Sequence, residues 1–140
     1  MRALLAVLLL ASTVGDAFAG SAAIERAADG HWRAEARING RKLDVLVDTG
    51  ATLVALTQDD ARAIGIDVRH LRYDARVRTA SGTARAATIT LERIQIGNVR
   101  VRDVEAMVIE RGLDVSLLGM SFLSRLEEFS VRGQTLRLSD

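Results

Sequence analysis

The chain has 140 residues, 49% of them hydrophobic, which suffices for one packed domain and is too little for two. Its 19 Lys and Arg against 18 Asp and Glu leave a net charge of +1, so nothing electrostatic argues for nucleic acid as a partner. The absence of Cys excludes a disulfide framework, a thiol nucleophile and a zinc-thiolate site.

Residues 1–19, MRALLAVLLLASTVGDAFA, read as a targeting segment. Arg2 precedes an apolar run from Ala3 to Val14, and Ala17-Phe18-Ala19 supplies an A-x-A cleavage site. Cleavage there predicts an exported chain, periplasmic or secreted, that starts at Gly20. The run is shorter than the roughly 20 residues a spanning helix needs, so a membrane is expected as a partner only if the segment is kept as an anchor.

Beyond residue 19 the dominant period is two rather than 3.6. Trp32, Ala34, Ala36 and Ile38 alternate with Arg33, Glu35 and Arg37, and Asn39-Gly40 then turns the chain into a strand from Lys42 to Val47. Leu43, Val45 and Val47 on one face and Leu46 on the other predict burial on both sides; Leu53, Val54 and Leu56 predict a second interior strand. A short helix follows, with Thr57 as N-cap, Asp60 three residues on, and Gly65 as its left-handed stop.

Residues 74–110 read as three extended segments turning near Ser81-Gly82 and at Gly97-Asn98, and the Arg residues of ARVRTASGTARAATI are expected to face outward. Ile89, Leu91, Ile94 and Ile96, then Val99, Val101 and Val104, carry the apolar alternation; its slip between Leu91 and Ile94 predicts a bulge or bend at Glu92-Arg93. Leu117-Leu118-Gly119 leads into a second short helix carrying Phe122, Leu123 and Leu126, and a last hairpin turns at Gly133-Gln134. Apolar strand, Gly, then helix thus occurs twice, after LDVLVDTG and after DVSLLG, but only the first copy holds a Thr-Gly turn. The expectation is one all-β domain over residues 20–140 with one or two short helices.

The chemistry concentrates at Asp48. It closes an interior strand, and Gly50, lacking a Cβ, lets backbone N–H groups approach the carboxylate; Thr49 and Thr52 add hydroxyls expected to hold it. One carboxylate cannot both activate a water and protonate a leaving amine. Two of them meeting across a two-fold axis can, because they share one proton and divide the roles of base and acid. No second Asp-Thr-Gly or Asp-Ser-Gly exists in the chain, so a catalytic reading requires a homodimer.

Val47-Asp48-Thr49-Gly50-Ala51-Thr52 resembles the active-site motif of the retropepsin-like aspartic proteases. Leu117-Leu118-Gly119 and its helix resemble the family's second signature, and the Arg76–Ala87 hairpin lies where the family has its flap. DGHWRAEARINGRKLDVLVDTGATLVALT and LLGMSFLSRL are similar to the small bacterial cell-envelope members, so the resemblance covers about Asp29 to Leu138. It implies an acid-protease barrel in which Asp48 is the catalytic aspartate and Thr49 hydrogen-bonds across the dimer axis. Gly50, Ala51 and Thr52 then support the site, Ala80, Ser81 and Gly82 form a flap over an extended peptide, and Leu117, Leu118 and Gly119 pack beneath the loop. It also implies that the C-terminal strand TLRLSD either pairs across the axis or covers an edge, and that no cofactor is needed. Retroviral members differ in having an acidic residue at the place of Thr52 and an Arg-Asn or Arg-Asp pair at the place of Met120-Ser121.

Two other functions use the same residues: a catalytically silent peptide-binding or assembly module of the same fold, and a nucleotide site at the Asp-Thr-Gly turn, for which the chain lacks the further phosphate loops. His31 and His70 lie far apart with no acidic cluster at ligand spacing, and read as exposed or capping residues rather than a metal site. Trp32 is expected to cover the sheet. Met107, Met120 and Phe122 are expected to fill the core, and Tyr73 either to pack on a strand or to close the flap base.

Overall fold

The computed structural model describes residues 20–140. The expected targeting segment and its cleavage site lie outside the described residues.

Strand β1 (Ser21–Glu25) is followed by β2 (Arg33–Ile38) and β3 (Arg41–Val47). Ala34, Ala36 and Ile38 are buried while Arg33, Glu35 and Arg37 are exposed, as the period-two pattern requires. Asn39 and Gly40 both take positive φ, 49° and 83°, which is the geometry of a two-residue hairpin turn, and the β2–β3 ladder runs without a break from Arg33↔Leu46 to Ile38↔Arg41. Next come β4 (Val54–Thr57) and α1 (Gln58–Ala63), whose N-cap is Thr57: its side chain accepts from the Asp60 amide at 3.1 Å. A single 3-10 turn, Val68–His70, leads to β5 (Ala75–Thr79), β6 (Gly82–Ile96) and β7 (Val99–Ile109). Then follow β8 (Leu117–Leu118), α2 (Met120–Leu123), β9 (Glu128–Arg132) and β10 (Thr135–Ser139).

Seven strands form one sheet in the order β2-β3-β8-β4-β7-β6-β5, and a further pairing of β2 with β6 closes it on itself. The interior is filled by side chains such as Ile38, Val45, Leu56, Leu91, Ile94, Leu118 and Phe122, each 1% exposed or less. Strand β8 has two residues, yet it lies between β3, to which it is parallel, and β4, to which it is antiparallel.

The alternation slip at Glu92-Arg93 is a bend and not a bulge. Leu91 faces Val104 and Arg93 faces Arg102, so the register is the same on both sides of the slip. Both strands change face together at opposed positions, and Asp103, opposite Glu92, takes a positive φ of 52°. No residue is inserted, so the long β6–β7 ribbon turns a corner at the unpaired Glu92 and Asp103 and keeps its register on both sides.

A second, three-stranded sheet has the order β1-β10-β9. Here the C-terminal strand is central: β1 occupies one edge of β10 and β9 the other, so β10 neither pairs across an axis nor covers an edge. The hairpin turn at Gly133-Gln134 falls where the sequence places it. Its Gln134 carbonyl accepts from the Arg26 amide (2.7 Å) and from Trp32 Nε1 (3.3 Å), and the Trp32 carbonyl accepts from the Val47 amide (2.9 Å). The small sheet is thereby tied to the strand end that carries Asp48.

Candidate active site

Asp48 stands one residue beyond β3, at the end of a register in which Leu46 faces Leu117 and Val47 faces Leu118. Its amide donates to the Leu118 carbonyl (3.1 Å) and its carbonyl accepts from the Ala51 amide (3.2 Å), which closes a tight loop over Thr49 and Gly50. The Gly50 amide donates to Asp48 Oδ1 at 2.8 Å, so the carboxylate is aimed by its own turn. A Cβ on Gly50 would sit 3.1 Å from that oxygen, so the approach is close for anything but Gly. The hydroxyls of Thr49 and Thr52 do not hold the carboxylate, contrary to the sequence expectation; the Gly50 amide takes that role.

The loop rests on residues from the far end of the chain. The Met120 amide donates to the Ala51 carbonyl (2.8 Å) and the Ser121 amide to the Thr52 carbonyl (2.9 Å). Ser121 Oγ accepts from the Val54 amide (2.9 Å) and donates to the Glu105 carbonyl (2.7 Å), fastening α2 to both β4 and β7. Beside them lies Gly119, buried against the loop: a Cβ there would come within 2.3 Å of the Leu53 carbonyl oxygen and 2.7 Å of that of Ala51. No side chain fits, which is the physical content of the Leu-Leu-Gly pattern.

Asp48, Gly50, Ala51 and Thr52 form the floor of a cleft of about 850 Å³. Its roof is the β5–β6 hairpin from Val77 to Ser81. Thr79 faces Gly82, so the tip is Ala80-Ser81 and Gly82 begins the return strand. Ser81 Oγ donates to the Gly112 carbonyl (3.1 Å), across the cleft mouth. The walls are mainly apolar and include Leu53, Met107, Ile109, Leu113 and Val115.

The structure thus brings Asp48, Gly50, Ala51, Thr52, Ala80, Ser81 and Leu117 to one cleft. Leu118 and Gly119 lie beneath the loop, and Thr49 is exposed outside the cleft. Met107 is a correction: it is half-buried and lines the cleft instead of filling the core. Phe122 is core as expected, and Met120 is half-buried against it. Trp32 packs on the core with the Arg26 guanidinium 5.2 Å from its ring centre. The Tyr73 hydroxyl donates to the Val68 carbonyl (3.0 Å) and accepts from Gln58 Nε2 (2.9 Å); its ring packs on the core and does not line the cleft. His31 and His70 are exposed, and among the described residues no group of three His, Asp or Glu is placed to hold a metal.

Sequence reasoning missed two parts of the site. One is the Gly112–Val115 segment, which forms a wall. The other is Ser116, the one buried polar residue among those described, whose Oγ accepts from the Thr57 amide (3.1 Å) and donates to Asp60 Oδ2 (2.5 Å). The signal for Ser116 was present: a lone hydroxyl ahead of an apolar pair and a Gly.

Residues 34–125 match the family described as "gag-polyprotein putative aspartyl protease". The chain is 44% identical over 118 residues to an uncharacterized protein from the cobV 5' region of a Sinorhizobium species, a match covering 84% of this chain and 51% of that protein. It is 38% identical over 120 residues to an uncharacterized protein of Rickettsia prowazekii, covering 86% of this chain and 52% of that one. The chain therefore spans about half the length of these relatives. Among solved structures, a retropepsin-like aspartic protease from Rickettsia conorii superposes with a TM-score of 0.78 at 39% identity, covering 86% of this chain and 91% of that one. The protease of EIAV shares the fold at a TM-score of 0.55 and 19% identity, over 66% of this chain and 85% of that one.

Proposed function

The chain belongs to the retropepsin-like aspartic proteases, and from that premise we propose that it is an aspartic endopeptidase acting as a homodimer. The observation that carries the reading is a single half-buried carboxylate, Asp48, oriented by the Gly50 amide on the floor of a roofed apolar cleft. One chain offers one such group, and a second copy supplies the other.

In the proposed reaction the two Asp48 carboxyls, too close for both to ionise, hold one proton and a water between them. The ionised carboxyl takes a proton from the water as its oxygen attacks the scissile carbonyl carbon. The protonated partner gives its proton to the carbonyl oxygen, leaving a neutral tetrahedral diol. The first carboxyl then returns its proton to the amide nitrogen and the second takes one from a diol hydroxyl as the C–N bond breaks, releasing a carboxyl and an amine end and restoring the shared proton. The substrate is an extended polypeptide, its backbone lying between floor and flap and its apolar side chains against Met107, Ile109 and Val115. Thr49, exposed outside the cleft, bonds its copy in the second chain. Export with removal of residues 1–19 belongs to the same proposal, and amino-terminal sequencing of protein recovered from the cell envelope tests it.

The decisive test is cleavage of an unstructured peptide library from acid to neutral pH, with Asp48→Asn beside the native chain and protein concentration varied. Cleavage that disappears in Asp48→Asn, and rises faster than linearly with dilute protein, is the expected result. Peptides bound but never cut would make the cleft a recognition groove and the chain a silent module of the same fold.

A further inference from the structure

We infer that Arg78 is a specificity determinant, whose guanidinium selects polypeptides that carry an Asp or Glu beside their apolar residues. The inference rests on the peptidase reading above and names the class of substrate that this reading leaves open.

The β5–β6 hairpin, residues 75–85, holds Arg76, Arg78 and Arg85 and no carboxylate. Its ladder sets Arg76 directly opposite Arg85, a like-charge pairing from which the fold gains nothing. The acids at the base of the hairpin are engaged elsewhere: Asp74 lies 3.7 Å from Arg72 and Glu110 lies 3.6 Å from Arg85. Arg85 is further held through its Nε, which donates to the Tyr73 carbonyl (3.1 Å). Neither Arg76 nor Arg78 is in an ion pair within the chain among the described residues.

Of the three, Arg78 is the one that lines the cleft. It is exposed, and its cross-strand partner is the small, neutral Thr83. The roof therefore presents an uncompensated cation to whatever lies beneath it. Two acids share the cleft, Asp48 and Asp114. Asp48 is held by its own turn for the proposed chemistry, and Asp114, exposed on the Gly112–Val115 wall, forms no ion pair with Arg78. The chain leaves Arg78 without a partner, and a substrate can bring one.

The chemistry of that partner follows from the rest of the cleft. An extended peptide turns alternate side chains to opposite sides, so those directed at Leu53, Met107, Ile109 and Val115 are apolar. A carboxylate directed at the roof gains a charge-assisted hydrogen bond from the guanidinium, an amide gains less, and an ammonium is repelled. Asp48 and Asp114 oppose a substrate acid at the floor or the wall, which confines the preference to positions under the roof. Arg76 and Arg85 on the hairpin, and Arg111 exposed beside Gly112, extend the positive field around the roof. That field draws acidic chains toward the cleft and turns basic ones away.

The test is a matched set of unstructured peptides with one apolar core, in which each flanking position in turn is Glu, Gln or Lys. Cleavage by the 140-residue chain is compared as ratios of kcat/KM, which cancel any change in overall activity. Glu is expected to exceed Gln by about fivefold at a flanking position, and Lys to fall below both. The Glu-over-Gln ratio is expected to vanish in R78Q, to persist in part in R78K and to persist in R76Q; in R78E, Lys becomes the preferred residue. Equal cleavage of Glu and Gln peptides by the native chain overturns the inference and leaves the peptidase proposal standing. A ratio that survives R78Q, or that R76Q abolishes as fully, does the same. Binding of the same peptides to Asp48→Asn, with and without R78Q and read by fluorescence anisotropy, separates the two readings. A preference for Glu there that depends on Arg78, with no cleavage by the native chain, supports the inference and sinks the peptidase proposal. Peptides neither bound nor cut overturn both.

Discussion

The loop that carries Asp48 and the hairpin that roofs it face each other across one cleft, yet they are held in opposite ways. The loop is bound through its backbone to residues 118–121, by bonds from or to Asp48, Ala51, Thr52 and Val54, and it lies so close to Gly119 that no side chain fits between them. The hairpin tip is exposed, and Ser81 Oγ to the Gly112 carbonyl is its hydrogen bond across the cleft. A floor of backbone bonds opens only when the fold opens, whereas a roof held by one exposed hydroxyl opens alone. The molecule thus separates the part that keeps a carboxylate aimed from the part that covers it.

Five experiments probe that division. Asp48→Asn keeps an oxygen for the Gly50 amide, so it is expected to fold as the native chain does while peptide cleavage falls about 10⁴-fold, the upper range for loss of an acid–base group. Full activity in the Asp48→Asn variant would show that the floor is only scaffold. Gly119→Ala forces a methyl group into backbone carbonyls that have no room to move, at a cost of about 3 kcal/mol, read as a fall of roughly 10 °C in Tm. An unchanged Tm would mean the floor yields, and the contrast with the roof would collapse. Ser116→Ala leaves the Thr57 amide and Asp60 without their buried partner and is expected to cost about 2 kcal/mol in chemical denaturation.

On the other side of the comparison, Ser81→Ala removes the latch. Its global stability is expected to match the native chain, while amide exchange at residues 79–83 quickens and kcat/KM changes by no more than about fivefold. Slowed exchange or a large stability loss would make the roof part of the core. The smallest effect lies outside both regions. Hydrogen bonds from His70 and Arg69 lower the Asp67 pKa from 3.8 to about 2. A carboxylate whose folded pKa is depressed stabilises the fold above its unfolded pKa and loses that contribution as pH falls from about 4 to about 2. Asp67→Asn is therefore expected to flatten slightly the acid limb of a melting profile and to leave cleavage untouched.

Local chemistry made much of this readable from sequence. Asn39-Gly40, Gly65 and Gly133 mark turns because their backbone conformations are available to few residues, and Asp48 is conspicuous because interior strands seldom end on an acid. The unread parts are those in which two distant segments decide together. The slip at Leu91–Ile94 proves to be a bend only because Val101–Val104 slips at the opposed positions. Met107 looks like core by type, and lies on the cleft that it lines together with the Gly112–Val115 segment beyond β7. Ser116 and Asp60 are 56 residues apart and become partners only when β8 enters the sheet. The place of β10 between β1 and β9 likewise depends on pairings that no periodicity encodes.

That entry of β8 sets an order in time. The strand that completes the sheet beside Asp48 is the shortest in the fold, joins β3 and β4 from far downstream in the chain, and brings Gly119 and Ser121 with it. Contacts so distant along the chain form late in folding, because the long intervening loop must first be closed. Until Leu117–Ser121 has docked, Asp48 has a turn but no floor beneath it. A chain in which that segment is undocked carries its carboxylate on a turn alone, without the backbone bonds from Met120 and Ser121 that hold the loop.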